Sequence, residues 1–306
     1  HQGEHTQRHL DHRCDHRWGD RAASYDYDLR IARWVNALSG MWTIEPNTLV
    51  SLRLSEAERA LRDGDLDRAL IEAEELLDEN PAHPTGLDIV STAALAMGDV
   101  LTALAALNRR VELHPPNATT LQSLAAARFE AVDYPGSLAA AQQATSLDPT
   151  MAAAWHYQGL AFERIGRAED AHNCFVHAHQ IDPDQFSLAP KWAELDWNAL
   201  LEAALEQLPK ALQGFYTGLP VRWSPFPAVE DLLENYPPLS PFTDGLYRGT
   251  RQPDADPWVS RPQYIMLFQG NLSRPMMVPE AVMGRIREAL IHEALHWIGT
   301  SELPDE

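Results

Sequence analysis

The 306-residue sequence predicts a multidomain chain: an all-α stack of helical hairpins followed by a small α+β domain. Three observations carry that prediction. Pro81, Pro115, Pro149 and Pro183 recur every 34 residues. Gln263–Gln269 (QYIMLFQ) is apolar, partly branched and aromatic, and is bounded by Pro262 and Gly270, which is the pattern of a strand. A long apolar-periodic stretch begins near Pro279, ends before Gly299 and carries His292, Glu293 and His296. The expected boundaries are 1–40 for an N-terminal segment, 41–186 for the repeats, with about four units over 50–183, and 187–306 for the last domain.

Composition narrows the function classes. Hydrophobic residues make up 45% and charged residues 22%, which is globular usage. Lys and Arg number 24 against 44 Asp and Glu, a formal net charge of −20, so the basic footprint of a nucleic-acid binder is absent. The two cysteines, Cys14 and Cys174, exclude a disulfide scaffold and a four-cysteine zinc module. No run of 18 apolar residues offers a membrane span, and no basic-then-apolar leader opens the sequence. A soluble, acidic, cytoplasmic protein is expected.

Residues 1–40 are expected to be disordered or foreign to the native protein. His1, His5, His9, His12 and His16 stand there among Arg and Asp, a pattern that also occurs in nickel- or zinc-binding tracts. The sequence starts with His rather than Met, and Met41, just before the repeats, is an alternative start.

The repeat frame holds further columns. Ala57, Ser91, Ala125 and Gly159 form one, Ala69, Ala103, Ser137 and Ala171 a second, and Ala73, Leu107, Ala141 and Phe175 a third. Gly64, Gly98 and Gly166 share a column broken by Val132. Glycine reverses the chain between two helices because it takes positive φ without a clash. Proline stops the second helix, and the small residues let the two helices approach. Period and residue types together resemble the tetratricopeptide repeat. That resemblance implies a solenoid that binds a protein or peptide partner. Trp155, Phe162 and Phe175 read as repeat core, Cys174 as packed, and His172, His177 and His179 as surface.

Past Pro183, Trp192–Leu208 has helical periodicity. Residues 219–263 are rich in proline and aromatics, with a strand possible at Val221–Trp223 and no long helix. The strand at 263–269 follows, then the final helix, opened by Pro279 and closed by Gly299.

That helix carries the chemistry. His292 and His296 are one turn apart on one face, where both imidazoles can reach one Zn²⁺. Glu293 lies about 100° round the helix and can take a proton from a water the metal activates, which is peptide-bond hydrolysis. Gly299 follows the second histidine by three residues, and a third ligand is expected three residues on, at Glu302. Asp305 and Glu306 are the rival carboxylates.

These features, with Leu208-Pro209, Gly245–Gly249 (GLYRG) and Ile265–Gly270 (IMLFQG), resemble the minimal matrix-metalloprotease-like zincins, small bacterial metallopeptidase-like proteins, some of which carry tetratricopeptide repeats in front. The resemblance covers about the last third of the chain. It implies His292, His296 and Glu302 as zinc ligands and Glu293 as general base; the peptide substrate is expected from the chemistry of the site and not from the resemblance. The family has Asp where this chain has Glu302, one methylene longer. The alternative is a non-catalytic interaction scaffold whose zincin domain is inert or structural.

Overall fold

The structure, a computed structural model, describes residues 46–188, 195–250, 256, 258–274 and 278–300. Residues 1–40, with their histidines and Cys14, lie outside the described residues, as do Trp192, Glu302, Asp305 and Glu306. The chain divides into compact units at 1–53 and 54–306, and the second unit holds nearly all that is described.

Eight helices come first, in pairs: α1 (Pro46–Asp63) and α2 (Leu66–Glu79), α3 (Pro84–Met97) and α4 (Val100–Leu113), α5 (Ala118–Glu130) and α6 (Tyr134–Leu147), α7 (Ala152–Arg164) and α8 (Ala168–Ile181). Each pair occupies one 34-residue frame of a tetratricopeptide-type solenoid. Each second helix ends two residues before its proline. At the mid-hairpin turns Gly64, Gly98 and Gly166 have φ of +77°, +78° and +80°, and Val132 adopts +65° at the equivalent place. The turn geometry therefore persists where the glycine does not, at the cost of left-handed backbone in a β-branched residue. Asp65, Asp99 and Asp133 then cap the next helix, each accepting a backbone N–H three residues on.

The small-residue columns are the hairpin seams. Ala57, Ala69, Ala103, Ala125 and Ser137 are fully buried, and Ser137 Oγ donates to Ala125 O at 2.7 Å. At Gly159 a Cβ would stand 2.6 Å from the Phe175 ring, so the pairing of a large ring with a hydrogen side chain is obligatory.

The remainder is α9 (Trp197–Glu206), α10 (Lys210–Tyr216), β1 (Val221–Ser224), α11 (Val229–Leu233), β2 (Gly245–Arg248), β3 (Tyr264–Phe268), α12 (Gln269–Leu272) and α13 (Pro279–Ile298). The sheet order is β1-β3-β2. β1 runs parallel to β3, with Val221 opposite Ile265. β2 runs antiparallel to it, with Tyr247 opposite Ile265. Val282, Ile286, Leu290 and Ala294 form the fully buried stripe of α13, packed with Ile265, Leu267 and Leu212 in one core. Gly299, at φ +82°, ends the helix as its sequence requires. Among the described residues no helix is long and apolar enough to cross a membrane.

This small domain lies against the third and fourth repeats. Phe129, Tyr134 and Leu160 of the helices pack with Leu232, Leu239 and Phe242. Arg164, whose side chain is 2% exposed, ends α7 at the centre of the seam. Its Nη2 donates to Asn271 Oδ1 at 2.8 Å and to Pro241 O at 3.2 Å, its Nη1 pairs with Glu163 at 3.0 Å, and its guanidinium stacks 3.8 Å from the Phe226 ring centre.

Candidate metal and catalytic site

α13 sorts its residues by face. Val282, Ile286, Leu290 and Ala294 face the core, so His292 and His296, offset from that stripe, are exposed while Glu293 is 5% exposed. The two imidazole ring centres lie 4.4 Å apart with planes at 42°. Burial, and then the neighbouring His292, push the His296 pKa down, which favours the neutral ring that ligates metal.

Glu293 points to the sheet edge. Phe268 N–H donates to Asp244 O and Gln263 N–H to Arg248 O. Amides alternate along a strand, so those of Gly245 and Tyr247 face away from β3. The outward Tyr247 N–H donates to Glu293 Oε2 at 2.9 Å. Burial raises the Glu293 carboxyl pKa to about 7, and the Tyr247 hydrogen bond offsets only part of that. Gly245 is required here, since a Cβ would stand 2.9 Å from Leu267 Cδ2 and 3.4 Å from Glu293 Cγ. The Tyr247 ring meets Trp297 edge-on at 5.3 Å, and Tyr216 Oη donates to Leu290 O at 2.6 Å, bracing the turn before His292. Trp297 is 2% exposed and belongs to the core of the domain.

A cleft of about 380 Å³ opens between residues 242–245 and α13, with His292 and Glu293 on its wall. Two further carboxylates line it that the sequence reading did not single out. Asp244 is held by Arg285 Nη2 at 2.6 and 2.7 Å. Its pKa is raised by burial, opposed by Arg285, with Glu288 raising and His292 lowering it less. Glu288 stands one turn before His292 on the same exposed face, and helical spacing alone would have found it. Asp244 had a weaker signal, its place directly before the GLYRG segment.

Residues 216–304 match the family model of zincin-like metallopeptidases. The zincin-like segment thus includes β1 to α13 and all three residues of the His-Glu-x-x-His set. MamA from Desulfovibrio magneticus RS-1 is 20% identical, with 55% of this chain and 90% of that chain covered and a TM-score of 0.41. YrrB, described as a TPR protein with an unusual peptide-binding site, is 16% identical, covering 43% of this chain and 68% of its own, with a TM-score of 0.40. TTC0263, a thermophilic TPR protein of Thermus thermophilus, is 19% identical, covering 54% and 87%, with a TM-score of 0.38. No curated protein matches the sequence.

The zincin-like segment implies zinc, and the donor set fits it. Two imidazoles one helical turn apart are donors of the kind zinc takes, at Zn–N bonds of about 2.0–2.1 Å. Among the described residues no group of three or more His, Cys, Asp or Glu is arranged to hold a metal. Asp244 and Glu288 therefore do not complete a ligand set with the histidines, and the third position expected from the sequence, Glu302, is outside the described residues.

Proposed function

We propose that the chain is a zinc-dependent peptidase whose repeats recruit a protein substrate or partner. The observation that carries this is the division of labour on one helical turn: two exposed imidazoles side by side, and between them in sequence a buried carboxylate fixed by the Tyr247 amide. His292, His296 and Glu302 would hold the metal, Glu302 lying three residues beyond the helix stop at Gly299 in sequence. Zinc would supply a Lewis acid for the scissile carbonyl and lower the pKa of water. Glu293, near pKa 7, suits a group that takes a proton from water and returns it to the leaving amine at neutral pH. The boundary between recruiting repeats and hydrolytic domain falls at about residue 186. The acidic, cysteine-poor composition supports a cytoplasmic setting.

Metal content and hydrolysis of denatured casein test this together. His292→Ala, His296→Ala and Glu302→Ala should lose zinc, with Asp305→Ala and Glu306→Ala near wild type. Glu293→Gln should keep zinc and fold while hydrolysis falls by about 10²–10⁴. Full zinc content in both histidine variants would place the metal elsewhere. Unchanged turnover in Glu293→Gln would leave the domain as part of a non-catalytic interaction scaffold.

A further inference from the structure

A second cavity, of about 700 Å³, lies where the fourth repeat meets the C-terminal domain, and Phe242 lines both it and the cleft beside His292 and Glu293. His156 and Phe175 wall it from α7 and α8, Phe186 from the segment after α8, and Phe226 and Arg274 from the other domain. Its volume is that of a ligand site rather than a packing fault.

Three arginines, Arg164, Arg274 and Arg285, stand at this seam and pair with Glu163 and Asp244. Arg164 is committed to Glu163, Asn271 and Pro241. Arg285 is committed to Asp244 and to the carbonyls of Asn271 and Arg274. Arg274 differs: among the described residues the hydrogen-bond partner of its guanidinium is Glu163, at 2.8 Å. The rest of its donor fork is left over the Phe175 ring, 4.6 Å from the centre. His156 packs 5.4 Å from Phe175 and 5.0 Å from Phe186. Burial, with Arg274 adding to it, holds its pKa at about 4, so the neutral ring offers one donor and one acceptor, the complement of a peptide unit.

We propose that this cavity binds the C-terminal end of a polypeptide with a large apolar last residue, its free carboxylate on Arg274 and its side chain among the phenylalanine rings. A guanidinium with donors to spare takes a carboxylate bidentately, the aromatic walls take an apolar side chain, and the volume exceeds what one residue fills. The assignment deepens the recruiting role given to the repeats above and rests on that reading.

The test uses the full chain carrying Glu293→Gln, so that no probe is cleaved, and titration calorimetry. The probes are acetyl-Ser-Ala-Ala-Phe as the free acid, the same peptide as its amide, and 3-phenylpropionate. The acid should bind about tenfold or more tightly than the amide. Arg274→Gln should reduce the acid to the level of the amide. His172→Trp, at the exposed rim of the cavity, should weaken both peptides. Equal binding of acid and amide, or no binding of either at millimolar concentration, overturns the assignment. So does 3-phenylpropionate binding as tightly as the peptide, which would mark a small-acid site. Selective binding in a chain that holds no zinc would sink the peptidase reading alone. Zinc-dependent hydrolysis in wild type without acid selectivity would sink this assignment alone.

Discussion

In the repeats most side-chain hydrogen bonds stay within a hairpin or reach the next one, whereas in the C-terminal domain several reach across tens of residues. Ser137 bonds to a carbonyl 12 residues away. Tyr247 and Glu293 are 46 apart, and Tyr216 and Leu290 are 74 apart. The solenoid repeats one local solution, so its stability is distributed over equivalent seams. The C-terminal domain closes once, and each of its long-range contacts has no duplicate. Arg164 belongs to both regions, since it ends a repeat helix and holds Pro241 and Asn271 of the other domain.

Arg164→Met should have the largest effect on stability. It leaves Asn271 Oδ1 without its donor and Glu163 with Arg274 alone at a buried seam, at a cost of about 3–5 kcal/mol. Urea unfolding followed by tryptophan fluorescence and by helical circular dichroism should separate into two midpoints, with the C-terminal domain melting first. Coincident midpoints in this variant would mean that the regions are held together elsewhere.

Acid should loosen the same seam. His156 has a folded pKa of about 4 against about 6.5 unfolded, so between those values the unfolded chain binds the extra proton. Stability contributed by the neutral ring is full above about pH 6.5, falls as pH drops toward 4, and then levels after a loss of about 3 kcal/mol. His156→Phe should flatten that decline in denaturation series between pH 7 and 4. An unaltered slope would assign the acid sensitivity to other groups.

The smallest effects come from the mid-hairpin turns, where the comparison can be made within the repeats. Gly98→Ala should cost about 1–2 kcal/mol, because its Cβ meets nothing and only left-handed backbone strain is added. Val132→Gly should change stability by less, about 1 kcal/mol. Relief of strain there opposes loss of a side chain that is 8% exposed and packs with Leu232. Thermal melts of the two variants decide whether Val132 is held by its turn or by its neighbour.

The same contrast sets what the sequence reveals. Prolines, glycines and small residues recur at one spacing, so the helix pairs, their stops and their seams are legible from the residues alone. The final helix is legible too, because periodicity, Pro279 and Gly299 are all local signals, and the Tyr264–Phe268 strand agrees with its apolar run. β2 is not, being four residues whose partner strand lies beyond an irregular stretch, and neither are the short α11 and α12. Of the site, the histidines and Glu293 follow from helical spacing. The Tyr247 amide, Asp244 and the Arg164 seam leave no periodic trace, since their contacts span 46, 41 and 107 residues.

The hydrogen bond from Tyr247 to Glu293 has a consequence for colloidal behaviour. β2 is an edge strand, and an open edge is a template on which another chain can polymerise. Two of its outward groups are answered from within: the Tyr247 N–H by Glu293, and the Gly245 carbonyl by the Thr243 hydroxyl at 3.1 Å. An amide proton serves one strong acceptor at a time, so an extended strand can join β2 at Tyr247 only by displacing the carboxylate. Glu293 is therefore also a stopper against sheet growth, and shortening it to alanine would leave a chain that self-associates in proportion to its concentration.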